Sequence, residues 1–453
     1  MNKSGYIDYH GVESIFFLEE KVLYIIPKES DDITKLRKYF YDENFFVRFG
    51  NKFFTNIAHV KESSYDDGRI KLIIDYVFDR CICDSFSKIE ITGDALDIFF
   101  NPAHYFYRKD RDERNAVDYM YHNEEADKWE VTFRGKTLTI SLLFGDILSR
   151  GGASDLMLHP KLRVEFENTD DVAYVFSVYQ MILRFLKIIR YDVKCGKLLV
   201  DLVGIKDEKI SHNGYLCDYT GVQEPITYIG YNIEYMKLKP YIGKMLQFAA
   251  ENEGYSFKHF PKDGIRYRGI HYTGTDFVNI FSAFENECRA DSSLYEKVDT
   301  SRIQDIKKNA LERVEVLLTN ELREDEQNFL DEVISRINQA GTQFGQAKKI
   351  QQAYDVLHAA LDDSIERIFY RTKIKGKLSV EELERISKYL TKVRGKVSHG
   401  ANIDDFSDDD VQSIKFLEIL TYAMLLKRAG LDDLDIEKVI GAVFGCNFKI
   451  DVE

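Results

Sequence analysis

Ser379-Val-Glu-Glu-Leu-Glu-Arg-Ile-Ser-Lys-Tyr-Leu-Thr-Lys-Val-Arg-Gly-Lys-Val-Ser-His-Gly400 reads as one amphipathic helix. Ser379 stands where an N-cap oxygen is wanted, and Glu381 and Glu382 meet the positive end of the helix dipole. Leu383, Ile386, Leu390, Val393 and Val397 recur at helical spacing and form a core stripe, and Gly400 is placed to close the C-terminus.

The same reading extends in both directions. Asp276 to Arg289 sets Phe277, Ile280, Phe281 and Phe284 on one face. Ser301 is a cap for a long charged helix to about Ala340, and Gln346 to Arg371 repeats Ile350, Ala353, Tyr354, Leu357, Leu361, Ile365 and Ile368. Ser407 with Asp408 to Asp410 opens a helix to about Ala429, and a last one starts at Asp433. All six prolines lie at or before Pro261, so nothing after it interrupts a helical bundle over 263–453.

The earlier part follows a two-residue period. Ile70, Leu72, Ile74, Tyr76 and Phe78 alternate, as does Lys161-Leu-Arg-Val-Glu-Phe166. Trp129 to Phe133 and Thr137 to Ser141 flank Arg134-Gly-Lys136, a hairpin turn. Residues 1–168 therefore read as a β-rich sandwich or barrel, with Asn123-Glu-Glu-Ala-Asp127 as an exposed loop. Residues 169–262 read as a helix capped by Asp170 or Asp171 and running to about Arg190, then a mixed connecting region. The fold class is α+β.

Composition narrows the function. The 453 residues are 44% apolar and 30% charged, which fits globular domains. The net charge of −14 excludes coating nucleic acid by bulk electrostatics. Arg184 and Lys187 interrupt the longest apolar run, Val172 to Ile189, so a buried helix and no membrane partner are expected. The start of the chain lacks a signal-peptide pattern, and six scattered cysteines read as reduced thiols without a zinc spacing, so a cytoplasmic setting with no metal or cofactor is expected. His358 reads as a core-edge histidine.

Within the opening stretch, Arg394 and His399 stand at the end of a bundle helix, separated by four residues. This resembles the Arg-x4-His signature of the HEPN superfamily, in particular its Apea-like branch. The aromatic helix ending Phe284-Glu285 and the closing Leu425-Leu-Lys-Arg-Ala-Gly-Leu431 agree with that branch, and the likeness covers about 270–445. The N-terminal half is similar to Apea-type phage-defence proteins in general character. The resemblance implies a metal-independent endoribonuclease, with two protomers joining two Arg/His pairs in one cleft. It implies a role in abortive infection, with RNA (tRNA among the candidates) as substrate and a phage-derived trigger. Gly395 departs from the family, whose active members carry Asn, Asp or His after the Arg. A second match, Arg266 to His271, lies in a Gly-rich segment rather than on a helix.

The chemistry suits the residue types. RNA supplies its own 2′-OH nucleophile, so the protein needs a group that titrates near neutrality, His399, and a fixed cation for the developing phosphorane charge, Arg394. From Arg367 to Lys396 ten cations stand against three acids, and Arg385, Lys388, Lys392 and Lys396 share a face that is suited to phosphates. Glu285 is either a support for Arg394 or His399 or a surface acid. Three alternatives remain: Arg394 pairs with a neighbouring acid while His399 caps the helix; the domain is an inactive HEPN scaffold for RNA or protein; or the chain is a β-sandwich ligand sensor dimerised by its helical half.

Overall fold

The structure, a computed structural model, describes residues 3–50, 54–101, 124–146, 158–206, 209–220, 235–261, 272–291, 300–317, 323–339, 345–369, 376–398 and 406–444. The chain divides into two compact units, 1–264 and 265–453, and is α+β.

The first unit is built on one antiparallel sheet of twelve strands. β1 (Lys3–Tyr9), β2 (Val12–Glu19), β3 (Val22–Pro27), β4 (Glu43–Gly50), β5 (Thr55–Asp66) and β6 (Arg69–Cys81) form its first half. β6 is the branch point. One edge pairs with β5; the other is shared by β3, at Ile70 to Ile73, and by β12 (Lys209–Asp218), at Tyr76 to Asp79. β1 comes alongside β4, so the six strands wrap a barrel-like core of Phe16, Leu18, Leu23, Ile25, Val60, Ile70 and Leu72. Leu36, from the one-turn helix α1 (Ile33–Leu36), adds to that core. The alternation of β6 holds through Ile74 and then gives way, because Tyr76, Val77, Phe78 and Asp79 are all buried. There Tyr76 stacks on Phe176 at 3.6 Å, so the second face is covered as well.

The other half runs β12, β11 (Leu198–Lys206), β7 (Phe86–Gly93), β10 (Leu158–Thr169), β9 (Lys136–Asp146), β8 (Glu124–Phe133). α2 (Asp94–Phe99), α3 (Val172–Arg190), the single turn α4 (Tyr235–Leu238) and α5 (Ile242–Glu251) belong to the same unit. Strands from the connecting region thus sit mid-sheet. β8 begins at Glu124, so Glu124 to Asp127 belongs to an edge strand rather than to the loop expected there. The hairpin turn forms at Arg134 and Gly135, both with positive φ, which matches the twist of a two-residue connection.

Asp171 caps α3 by accepting from the Tyr174 backbone N–H at 3.0 Å. Among the described residues α3 alone is long and apolar enough to cross a membrane, and 67% of that window is buried within the protein. Val175, Val178, Ile182, Phe185 and Ile189 are sealed from solvent, which identifies α3 as a core helix.

The second unit is helical: α6 (Gly274–Ala290), α7 (Thr300–Glu315), α8 (Glu324–Gln339), α9 (Gln346–Ile368), α10 (Val380–Ser398), α11 (Asp408–Arg428) and α12 (Asp433–Phe444). α11 is buried nearly all round, from Ile414 to Leu426, and α6, α9, α10 and α12 pack on it. Thr273, Ser379 and Ser407 each form a reciprocal cap with the carboxylate three residues on. The single helix expected from Ser301 to about Ala340 is instead two. α7 unwinds in a turn in which the Leu317 N–H reaches Val314, and Arg323 starts α8 anew, its N–H donating to the Glu326 carboxylate.

Candidate active site

α10 brings the predicted cation to the bundle wall. Leu383, Ile386, Leu390 and Val393 are buried, and Arg394 follows at the flank of that stripe. Its Nη2 lies 3.2 Å from Glu285 Oε1 on α6; the carboxylate side chain is 12% exposed and the guanidinium side chain 43%. The same Oε1 accepts from Gln346 Nε2 at 2.9 Å, from the first residue of α9. Three helices therefore meet at one carboxylate. It is held on its buried side and offers charge to a cation that keeps nearly half its surface in solvent. Such an arrangement fixes the guanidinium in direction while leaving it able to meet an anion.

α6 is itself anchored by a second carboxylate. Glu287 is 2% exposed and takes a bidentate grip from Arg428 on α11, at 2.9 and 3.0 Å. The hydroxyl of Tyr272, just before α6, donates to buried Glu418 at 2.5 Å. These contacts set the position from which Glu285 reaches Arg394.

The structure places Glu285 against Arg394, a contact expected both where Glu285 holds the arginine for a site and where Arg394 simply pairs with a neighbouring acid. His399 lies outside the described residues, as do Gly400, Cys446, and the second match, Arg266 and His271. The basic stripe is not on the Arg394 side. At about 100° per residue, the mean direction of Arg385, Lys388, Lys392 and Lys396 lies roughly 165° from Arg394. All four are exposed, and Lys388 is taken up by Glu384 at 2.5 Å. Val393 and Leu390 face the core, which turns Arg394 toward α6 and leaves Arg385 and the lysines to solvent.

Gly395 is in regular helix, and a Cβ built on it would meet nothing within 4 Å. His358 sits partly buried beside Asp362, at 3.4 Å, which fits a core-edge histidine. Cys81, Cys83, Cys195, Cys217 and Cys288 form no disulfide, and burial pushes the Cys81 and Cys288 thiols up to about 12. Sequence reasoning missed Gln346, a polar residue in a helix's first turn that nothing local distinguishes. No family model, no curated protein and no solved structure matches the chain.

Proposed function

We propose that this chain is a metal-independent endoribonuclease of the HEPN type. The observation that supports the reading most is the Arg394–Glu285–Gln346 contact: a half-exposed cation held by a largely buried carboxylate at the end of a bundle helix, five residues before a histidine. In this reading His399 accepts the proton of the ribose 2′-OH as that oxygen attacks the adjacent phosphorus. Arg394 neutralises the charge that builds on the phosphorane oxygens. The bond to the 5′-oxygen then breaks, that oxygen takes the proton held by His399, and the products carry a 2′,3′-cyclic phosphate and a 5′-hydroxyl. Two protomers build the working cleft. The protein acts in the cytoplasm on RNA, with tRNA the leading candidate, in response to a phage-derived trigger.

The position of the basic stripe favours a second reading, a HEPN scaffold that holds RNA on the solvent face of α10 without cutting it; Gly395 supports it too. Inducible expression in bacteria separates the two. The nuclease reading expects growth arrest with shortened tRNA on infection, abolished by His399→Ala. Arrest and intact RNA that are identical in wild type and His399→Ala would contradict it.

A further inference from the structure

α7 and α8 form a helical hairpin whose principal packing is each on the other. Apolar residues run along both: Ala310, Leu311 and Val314 on α7, and Leu330, Val333, Ile334 and Ile337 on α8. None of these reaches full burial. Ile306, Leu317 and Phe329 are 58%, 57% and 65% exposed beside them. Two helices of about four turns, about 24 Å long, do not bury enough surface in each other to stay folded in water, so this stripe calls for a cover.

Charge selects the cover. Going out from the bundle, α7 carries Arg302, Lys307 and Lys308 against Asp305, then Glu312 and Glu315 against Arg313. Returning, Arg323 and α8 open with Glu324, Asp325, Glu326, Asp331 and Glu332, and the last turns carry Arg336 alone. The connection end of the hairpin is therefore acidic and its root basic. Such an element repels a copy laid tip to tip and attracts one laid tip to root.

We propose that the α7–α8 hairpin docks on the same hairpin of a second copy of this chain. The two lie antiparallel about a two-fold axis and form a four-helix bundle over Leu311, Val314, Phe329, Val333 and Ile337. The tip-to-root arrangement sets α7 of one copy parallel to α8 of the other, with Lys307 and Lys308 at the level of Asp331 and Glu332. Both halves of an isologous contact are satisfied at once. The inference deepens the nuclease reading, which calls for two protomers, but its test reads mass rather than cleavage, so either can fail alone.

The test is light-scattering mass of the full chain, 52.8 kDa per copy, at micromolar concentration. Wild type is expected at twice that mass. Phe329→Glu with Val333→Glu, both outside the bundle core, is expected at the single mass with an unchanged melting temperature for the bundle. Lys307→Glu/Lys308→Glu alone, and Asp331→Lys/Glu332→Lys alone, are each expected as monomers, and their mixture as a dimer. A monomeric wild type, a dimer that survives Phe329→Glu/Val333→Glu, or a mixture of the two charge variants that stays monomeric would overturn the proposal.

Discussion

Neutralising Glu287 removes the carboxylate that ties α6, the helix carrying Glu285, to α11, and its cost can be worked from the geometry. The carboxylate is 2% exposed and holds Arg428 through two bonds of 2.9 and 3.0 Å. In Glu287→Gln the guanidinium stays in place but meets a neutral amide, one of whose two atoms is itself a donor. Removing one partner of a buried pair costs roughly 3–5 kcal/mol, because the guanidinium loses the carboxylate that compensates its desolvation. At about 2–4 °C per kcal/mol for a unit of this size, the melting transition of the helical bundle should fall by roughly 10 °C. Differential scanning calorimetry with equilibrium urea unfolding measures both quantities. The double replacement Glu287→Leu/Arg428→Met removes both charges and should regain most of the loss. A single-variant loss below about 1 kcal/mol, the range of an exposed ion pair, would refute the claim that this contact anchors α6.

Three further outcomes follow from the same contacts. Gly395→Ala meets open space in a regular helix and should raise stability by about 1 kcal/mol in urea titration, because glycine is the costlier residue in a helix interior; a loss would show that the position needs glycine for packing. Asn213 is fully buried, with its Oδ1 accepting from the Ile82 and Cys83 N–H groups and its Nδ2 donating to the Cys83 and Ser85 carbonyls, so Asn213→Ala should cost about 3 kcal/mol by denaturant titration of the N-terminal unit. Burial alone would raise the Glu90 carboxyl, but Lys161 and Arg163 outweigh it and hold Glu90 below its usual 4.5. A depressed carboxylate gives stability that is complete above its unfolded value and is lost as pH falls through the folded one. Stability followed downward from pH 5 should therefore decline less steeply in Glu90→Gln than in wild type, and identical slopes would contradict the assignment.

Much of this architecture is local and could be read from the chain. Ser379, Ser407 and Asp171 act as caps, and Ile70, Leu72 and Ile74 face a core, because capping and alternation depend on neighbours within a few residues. What escaped is non-local. β6 pairs on one edge with both β3 and β12, and no property of residues 69–81 discloses that the connecting region returns to the middle of the sheet. The acidic run from Asn123 resembles a loop in composition, yet Glu124 to Asp127 pairs with β9 because edge strands tolerate charge. Arg394 and the basic stripe were the opposite case. Their separation around the helix is fixed by spacing, and the core stripe alone decides which of them faces the bundle. Gln346 became visible only once three helix ends had converged on Glu285.

The most direct test of the proposed ribonuclease is cleavage of total RNA and purified tRNA in EDTA by the wild-type chain, Arg394→Ala and His399→Ala, with product ends identified. Wild type should leave 2′,3′-cyclic phosphate ends, and neither variant should. Cleavage that persists in both variants, or that leaves 3′-hydroxyl ends, would contradict it.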